Sequence, residues 1–450
     1  MIEPRKLFSE DILSYQVSTQ DLGITRYVNL DNAATTPPFT SVQGGVVHYL
    51  TTYGSVHRGA GTKSKVSTDH FEQARETVKS FVGAPESSYV LFTGNTTAAM
   101  NAAAYFFSFL EGMVAVSEVE HSASWLPFIK AEGTKALGNR QVILGEVASQ
   151  NVRIQQLGRE QVLQYDVNEN FEFELSAIEA MLQQHKVKAL VLTAASNATG
   201  YRPPIKEIGE LAHRYGAYFV VDACQFIQHH PLNMVELGID FLAASGHKFY
   251  APFGGGFLIG PKGFLDQFLP YEIGGGNLPY ITAEGEFLRY ESQQAHDPGT
   301  PNAVGAVAMA LALQELSRIG IHNVEAYERT LAERAYASLE ANSLIRLHVP
   351  CHHLNSVISF SIKGKDPRQV AEELNDRFGV GVRAGSFCVY NVVRKLLGIT
   401  DDSAITQEVK AGNPKAVPGF IRASVGLCTT EEDIDRFLQA VGVISTPTIS

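Results

Sequence analysis

Ile205-Lys-Glu-Ile-Gly-Glu-Leu-Ala-His-Arg-Tyr215, then Gly216, then Tyr218-Phe-Val-Val-Asp222 is the run from which the architecture can be read. Ile205, Ile208, Leu211 and Ala212 recur at helical spacing, and Gly216 is a C-terminal stop. Upstream, Ala189–Thr193 is a short apolar run; downstream, Tyr218–Asp222 is another, and both read as strands buried on two faces. Together they make a strand–helix–strand unit. The same kind of run recurs at Tyr89–Thr93, Met113–Ser117, Phe241–Ser245 and Phe257–Ile259. Several such units in succession imply a parallel sheet covered by helices on both faces, an α/β fold.

A chain of 450 residues exceeds a usual single core, so two domains are expected. The division predicted is an arm over residues 1–26, a large domain over 27–302 and a smaller α+β domain over 303–450. Gly299-Thr-Pro-Asn302 marks the break, and Ala303–Ser317 reads as a helix leading out of the large domain. Strands follow at Val357–Ile362, near Gly379–Arg383 and at Phe420–Val425, with a helix around Pro367–Phe378. A closing helix starts at Glu431, with Thr430 and Asp433 spaced as a capping box. Thr134–Gln161 reads as an excursion, and the polar, proline-interrupted Gly398–Gly419 as a loop or lid.

Composition narrows the function classes. A hydrophobic fraction of 45% with 18% charged residues fits a well-packed globular protein or oligomer. The net charge of −11 argues against nucleic acid as a partner, because phosphate recognition needs a basic face. No run of about 18 apolar residues occurs, which excludes a membrane-spanning helix, and the first residues lack an apolar signal core. The four cysteines, Cys224, Cys351, Cys388 and Cys428, form no CxxC pair, so a reducing cytoplasm is expected rather than a disulfide framework. Cys351-His352-His353 invites a metal reading. Neighbours on an extended strand point to opposite faces, so three in a row chelate poorly, and no metal is predicted.

Three segments carry chemistry. Ala244-Ser-Gly-His-Lys-Phe-Tyr250 follows a buried strand, placing Lys248 at the edge where parallel sheets bind ligands. A lysine amine there can form a Schiff base with a carbonyl cofactor; in isolation it could equally be a solvated loop lysine. Asp222 ends a very apolar strand, a costly place for a carboxylate unless it is paired. A pyridinium nitrogen would be such a partner, with Gln225 reaching the ring hydroxyl; capping of a following helix is the alternative. Tyr89-Val-Leu-Phe-Thr-Gly-Asn-Thr-Thr-Ala-Ala-Met-Asn101 sets a tight turn before an alanine-rich helix. Free amides and two hydroxyls at a helix N-terminus bind phosphate, although Thr96 could be an ordinary N-cap. There is no Walker A loop and no GxGxxG, so a nucleotide has weak support. Lysine, acid and phosphate turn together fit one pyridoxal 5′-phosphate.

With these motifs in place, the sequence from about Tyr27 onward resembles the class V aminotransferase family of fold-type-I pyridoxal-phosphate enzymes, in its cysteine desulfurase and selenocysteine lyase branch. The resemblance implies a large, mostly parallel seven-stranded sheet domain, a smaller C-terminal domain and a homodimer. Leu30-Asp-Asn-Ala-Ala34 matches the family's opening motif, and His57-Arg58-Gly59 a substrate-pocket segment. Thr96, Thr97, Ser245 and His247 match phosphate ligands, with Lys248 as the Schiff-base lysine. His121, in Glu120-His-Ser-Ala, matches an imidazole that stacks on the ring and relays protons, and Asn197 a side chain beside the ring hydroxyl and substrate. Thr300 matches a threonine that reaches the phosphate of the neighbouring subunit, and Arg422 the clamp for the substrate carboxylate.

Arg383-Ala-Gly-Ser-Phe-Cys388 separates the reactions within the family. In the desulfurase branch such a segment supplies the nucleophile, so Cys388 would take sulfur from L-cysteine or a related amino acid as a persulfide and leave alanine. Attack requires a thiolate, and Arg383 adds positive charge nearby. A sulfur-acceptor protein then becomes a possible partner. The alternative is a transamination, epimerisation or C–S lysis in which Cys388 is a bystander. Val-Tyr-Asn-Val-Val-Arg-Lys after Cys388 departs from the family pattern.

Overall fold

The computed structural model describes residues 2–136, 158–348 and 353–446. Seven strands form the large sheet: β1 (Ser88–Thr93), β2 (Met113–Ser117), β3 (Val162–Tyr165), β4 (Val187–Thr193), β5 (Tyr218–Asp222), β6 (Phe241–Ser245) and β7 (Gly256–Pro261). Their order is β1-β7-β6-β5-β4-β2-β3. Only β7 runs antiparallel to its neighbours; the other pairings are parallel. Every residue of β4 and of β6 is buried, as expected of strands with helices on both faces. Between β4 and β5 the helix Ile205–Arg214 buries Ile205, Ile208, Leu211 and Ala212, and Gly216 ends the unit with φ +73°.

A second sheet comprises β8 (Ile345–Leu347), β9 (Val357–Ile362), β10 (Arg383–Gly385) and β11 (Phe420–Ser424), in the order β8-β9-β11-β10, all antiparallel. Leu331 and Tyr336, Val370 and Leu374, and Ile434 and Phe437 cover it from three helices. The last helix, Glu431–Ser445, begins with the Thr430–Asp433 capping box.

Packing follows the chain order less simply than the sequence suggests. The helix Ala303–Ile319 does not lead away from the large sheet. Ala308, Met309, Leu313 and Leu316 pack in one cluster with Phe249, Phe257 and Ile259, while Val28 and Leu30 belong to the core of the second sheet. Gly320, with φ +83°, joins that helix to Ile321–Glu340 across a bend of 79°. We propose the domain division at Gly320. The first residues form a hairpin, Gln16–Thr19 with Gly23–Arg26, fastened to the helix Pro367–Phe378 by an Asp21–Arg377 ion pair at 2.8 Å.

Two other expectations change. The strand near Gly379–Arg383 is two pieces: Val380–Gly381 pairs with Val28–Asn29, and β10 then pairs with β11. Gly398–Gly419 is not a plain loop, since it contains the helix Ser403–Lys410, none of whose residues is buried. Its apolar signal is only Ile405 and Val409, one i,i+4 pair, too short to mark a helix in a polar stretch. Most of Thr134–Gln161, and Cys351 and His352, lie outside the described residues. Among the described residues no single helix is long and apolar enough to cross a membrane.

The turn after β2 is tied to β4 by a carboxyl group. Glu120 is 2% exposed, and its Oε1 accepts from the Ser117 hydroxyl and the Thr193 amide, both at 2.6 Å. Its Oε2 has no partner among the described residues. Burial pushes this carboxyl from 4.5 up to about 8, so it is neutral at pH 7. A carboxyl protonated in the folded chain and ionised in the unfolded one lowers stability as pH rises from 4.5 toward about 8. Glu120→Gln copies the neutral acid and removes this linkage. Its Tm without ligands should exceed that of the parent by at least ~2 °C at pH 8. The gap should close toward pH 5, and a gap independent of pH would sink the assignment.

Candidate active site

Open parallel sheets gather ligands at the carboxyl ends of their strands. Here β1, β2, β4, β5 and β6 each deliver side chains to that edge through a short connection. One cavity is lined by Thr96, Thr97, His121, Asn197, Asp222, Gln225, Ser245, His247, Lys248, Arg383, Cys388 and Arg422. Twelve residues singled out in the sequence therefore meet in one place.

Lys248 ends a single 3-10 turn, Gly246–Lys248, directly after β6. That turn admits no side chain at Gly246, where a Cβ would lie 2.9 Å from the Ala251 carbonyl oxygen. The Lys248 amine has no hydrogen-bond or ion-pair partner among the described residues. Burial, and then the Lys248 charge, hold the neighbouring His247 imidazole down to about 4, so it is neutral at pH 7. Asp222 is 3% exposed at the end of β5. Its Oδ2 accepts from the Ser124 hydroxyl at 2.5 Å and its Oδ1 from the Cys224 amide at 2.9 Å. It caps no helix. Gln225 donates to the Ala33 carbonyl at 2.5 Å, leaving its buried Oε1 without a partner among the described residues.

At the helix Thr96–Ser108 the cap is Asn95, whose side chain accepts from the Ala98 amide. Thr96 is thereby free of the capping role considered for it: its amide donates to Ser245 Oγ at 2.9 Å and its hydroxyl to Cys224 Sγ at 3.1 Å. Burial, then Lys248, lower the pKa of His121. Its Nδ1 accepts from the Ala123 amide at 3.1 Å, which leaves Nε2 to carry the proton.

At the mouth, Arg422 is 2% exposed. It donates from Nη1 to the Asn197 carbonyl at 3.0 Å and from Nη2 to Asp31 at 2.8 Å, while Nε has no partner among the described residues. Its guanidinium lies 4.8 Å from the Phe387 ring centroid. Asn197 Nδ2 donates to the Phe387 carbonyl at 2.9 Å. Cys388 is exposed, and its carbonyl accepts from the amide and hydroxyl of Ser122 at 2.9 and 2.8 Å.

Three residues stand apart. Thr300 lines a different cavity, with Gly94, Tyr271 and Asn302. His57 faces Glu72 at 3.1 Å and Asp297 at 3.9 Å, and Arg58 donates to the Gly275 carbonyl at 3.0 Å. Sequence reasoning gave no individual role to Asp31, Asn95, Ser122, Ser124 and Phe387. A local signal existed for Asn95, which precedes a helix in the usual N-cap position; Asp31 falls within the opening motif Leu30–Ala34, but its partner is 391 residues away.

A sequence profile described as Aminotransferase class-V matches residues 28–142 and 138–437. A probable cysteine desulfurase of Mycolicibacterium paratuberculosis is 30% identical over 416 residues, covering 91% of this chain. The chain spans about half of that relative's length, 54%. A probable cysteine desulfurase of Halalkalibacterium halodurans is 30% identical over 432 residues, 95% of each chain. The apo structure of a cysteine desulfurase from Thermococcus onnurineus NA1 superposes with a TM-score of 0.76 at 28% identity, over 93% of this chain and 94% of that one. The fold-type-I architecture expected from the sequence is borne out by that likeness. With most of its length matched, the chain belongs to the class V aminotransferase family.

Proposed function

We propose that this chain is a pyridoxal 5′-phosphate-dependent cysteine desulfurase that takes sulfur from L-cysteine onto Cys388 and leaves alanine. The observation carrying this reading is a single cavity lined by Lys248, Asp222, His121, Arg422 and Cys388 together. Its residues fit the cofactor by their chemistry. Lys248 offers an amine for the aldehyde, and Asp222 a buried carboxylate for the ring nitrogen. The partnerless Gln225 Oε1 is an acceptor for the ring hydroxyl. Thr96, Thr97, Ser245 and His247 surround a helix N-terminus suited to the phosphate. Bound there, the cofactor supplies an electron sink for charge developing at the substrate Cα.

The remaining work falls to the chain itself. Arg422, with an unused Nε–H, binds the substrate carboxylate, and Arg383 on the adjoining strand adds a second guanidinium. Lys248 takes and returns the Cα proton, with His121 moving a proton at Nε2. Cys388 Sγ attacks the substrate sulfur: the S–S bond forms, the Cβ–S bond breaks, and protonation of Cβ yields alanine. Cys388 keeps the sulfur as a persulfide until an acceptor thiol or protein removes it. A cytoplasmic location belongs to the same reading.

We assign a homodimer as well. Tyr280, Ile281, Phe287 and Leu288 form a two-stranded projection exposed at 61, 52, 53 and 41%. An apolar projection of this kind is suited to a second copy. Thr300, outside the main cavity of its own chain, is then available to the partner's phosphate site.

Cofactor-loaded protein given L-cysteine and a reducing thiol should release alanine and sulfide in equal amounts. Cys388→Ser should lose sulfide release by about 100-fold while keeping the cofactor absorbance. Lys248→Ala should lose the covalently held cofactor. Full activity in the Cys388 variant would move the assignment to another reaction of the family. In sedimentation, the parent should run at twice the mass of the 450-residue chain, and Ile281→Asp with Phe287→Asp as the single chain.

A further inference from the structure

Strands β10 and β11 place Arg383 directly opposite Arg422, and both side chains line the cavity. Like charges at opposed positions of an antiparallel pair repel. Water does little to relieve the repulsion at Arg422, which is 2% exposed, although Arg383 is half exposed. A buried guanidinium without a partner is strongly unfavourable, so a fixed anion is required.

That anion is Asp31, with Oδ1 at 2.8 Å from Arg422 Nη2 and Oδ2 at 3.9 Å from Arg383 Nη1. Its backbone is held on both sides. Asp31 bridges to Ser424 on β11, its amide donates to Asn29 Oδ1 at 3.1 Å, and its carbonyl accepts from the Ala34 amide at 3.0 Å. The Asp31 side chain is 29% exposed and pairs with the Nη2 end of the Arg422 guanidinium, while Arg422 Nε has no partner among the described residues. The Arg422 Nε–H and the Arg383 guanidinium, which is 3.9 Å from Asp31, are therefore the donors left for a substrate carboxylate.

We infer that Asp31 is a positioning residue that sets the charge of the carboxylate clamp. Two guanidinium groups and one fixed carboxylate leave a single positive charge, matched to one substrate carboxylate. The clamp thus favours a monocarboxylate amino acid over one carrying a second negative group. The inference rests on the amino-acid-binding part of the proposed function and adds what selects among amino acids.

The test uses cofactor-loaded protein, with L-alanine and L-aspartate as probes followed through their effect on the cofactor absorbance. Asp31→Asn keeps the shape and removes the charge. Its KM for L-cysteine should fall by about tenfold, and kcat should fall as product is retained. The affinity for L-aspartate relative to L-alanine should rise by about the same factor. Arg383→Gln, a change at an exposed position, should raise KM, and adding Asp31→Asn to it should bring KM back toward the parent value. A KM raised by Asp31→Asn with the aspartate-to-alanine ratio unchanged would make Asp31 a purely geometric support and overturn the inference. Amino-acid binding without sulfide release would count against the desulfurase reaction alone. A parent protein whose absorbance responds to neither probe would overturn both.

Discussion

Asp222 ends a strand enclosed by β4 and β6, and its carboxylate has the Ser124 hydroxyl and the Cys224 amide in place of the water it lost. An ionised group so enclosed is several kcal/mol costly unless a charged partner or further hydrogen bonds offset the loss of hydration. That constraint organises the rest of the site. The strand order puts β6, with Lys248, on one side of β5 and β4, with Asn197 beyond it, on the other. The helix that begins beside His121 supplies Ser124 to the same carboxylate. A cation introduced against Asp222 is consequently surrounded by groups already fixed by the sheet, and little rearrangement is needed to receive it.

Whatever depended on local pattern was legible in the sequence. The buried runs of β4, β5 and β6, the helix from Ile205, the capping box at Thr430 and the cluster around Lys248 follow from hydrophobic period and spacing. The resemblance to a family extended this to His121, Asn197 and Arg422, which composition alone would have left as ordinary residues. What escaped depends on distant partners or on the absence of pattern. Asp31 and Arg422 are 391 positions apart, and Phe387 and Asn197 are 190 apart. The helix Ser403–Lys410 buries nothing and offers only Ile405 and Val409 as an apolar pair, too little to mark it. The helix Ala303–Ile319 carries a broad apolar surface, but no local feature says which of two cores it enters.

The segment bearing the thiol is fixed by residues reaching it from both sheets. Phe387 and Cys388 have φ of +53° and +60°, a conformation that non-glycine residues adopt at a cost of about 1–2 kcal/mol each. Such backbone persists only where surrounding contacts fix it. Here Asn197 holds the Phe387 carbonyl, and Ser122 holds the Cys388 carbonyl with both its amide and its hydroxyl. From β11 of the second sheet, Arg422 lays its guanidinium on the Phe387 ring while donating to the Asn197 carbonyl. Asn197, Arg422 and Phe387 thus form a closed triangle of contacts. In the proposed reaction one corner of it binds the substrate carboxylate and another precedes the nucleophile. The separation between carboxylate and attacking sulfur is then set by packed side chains rather than by a free loop, and a misplacement of about 1 Å in such a geometry is worth roughly 100-fold in rate.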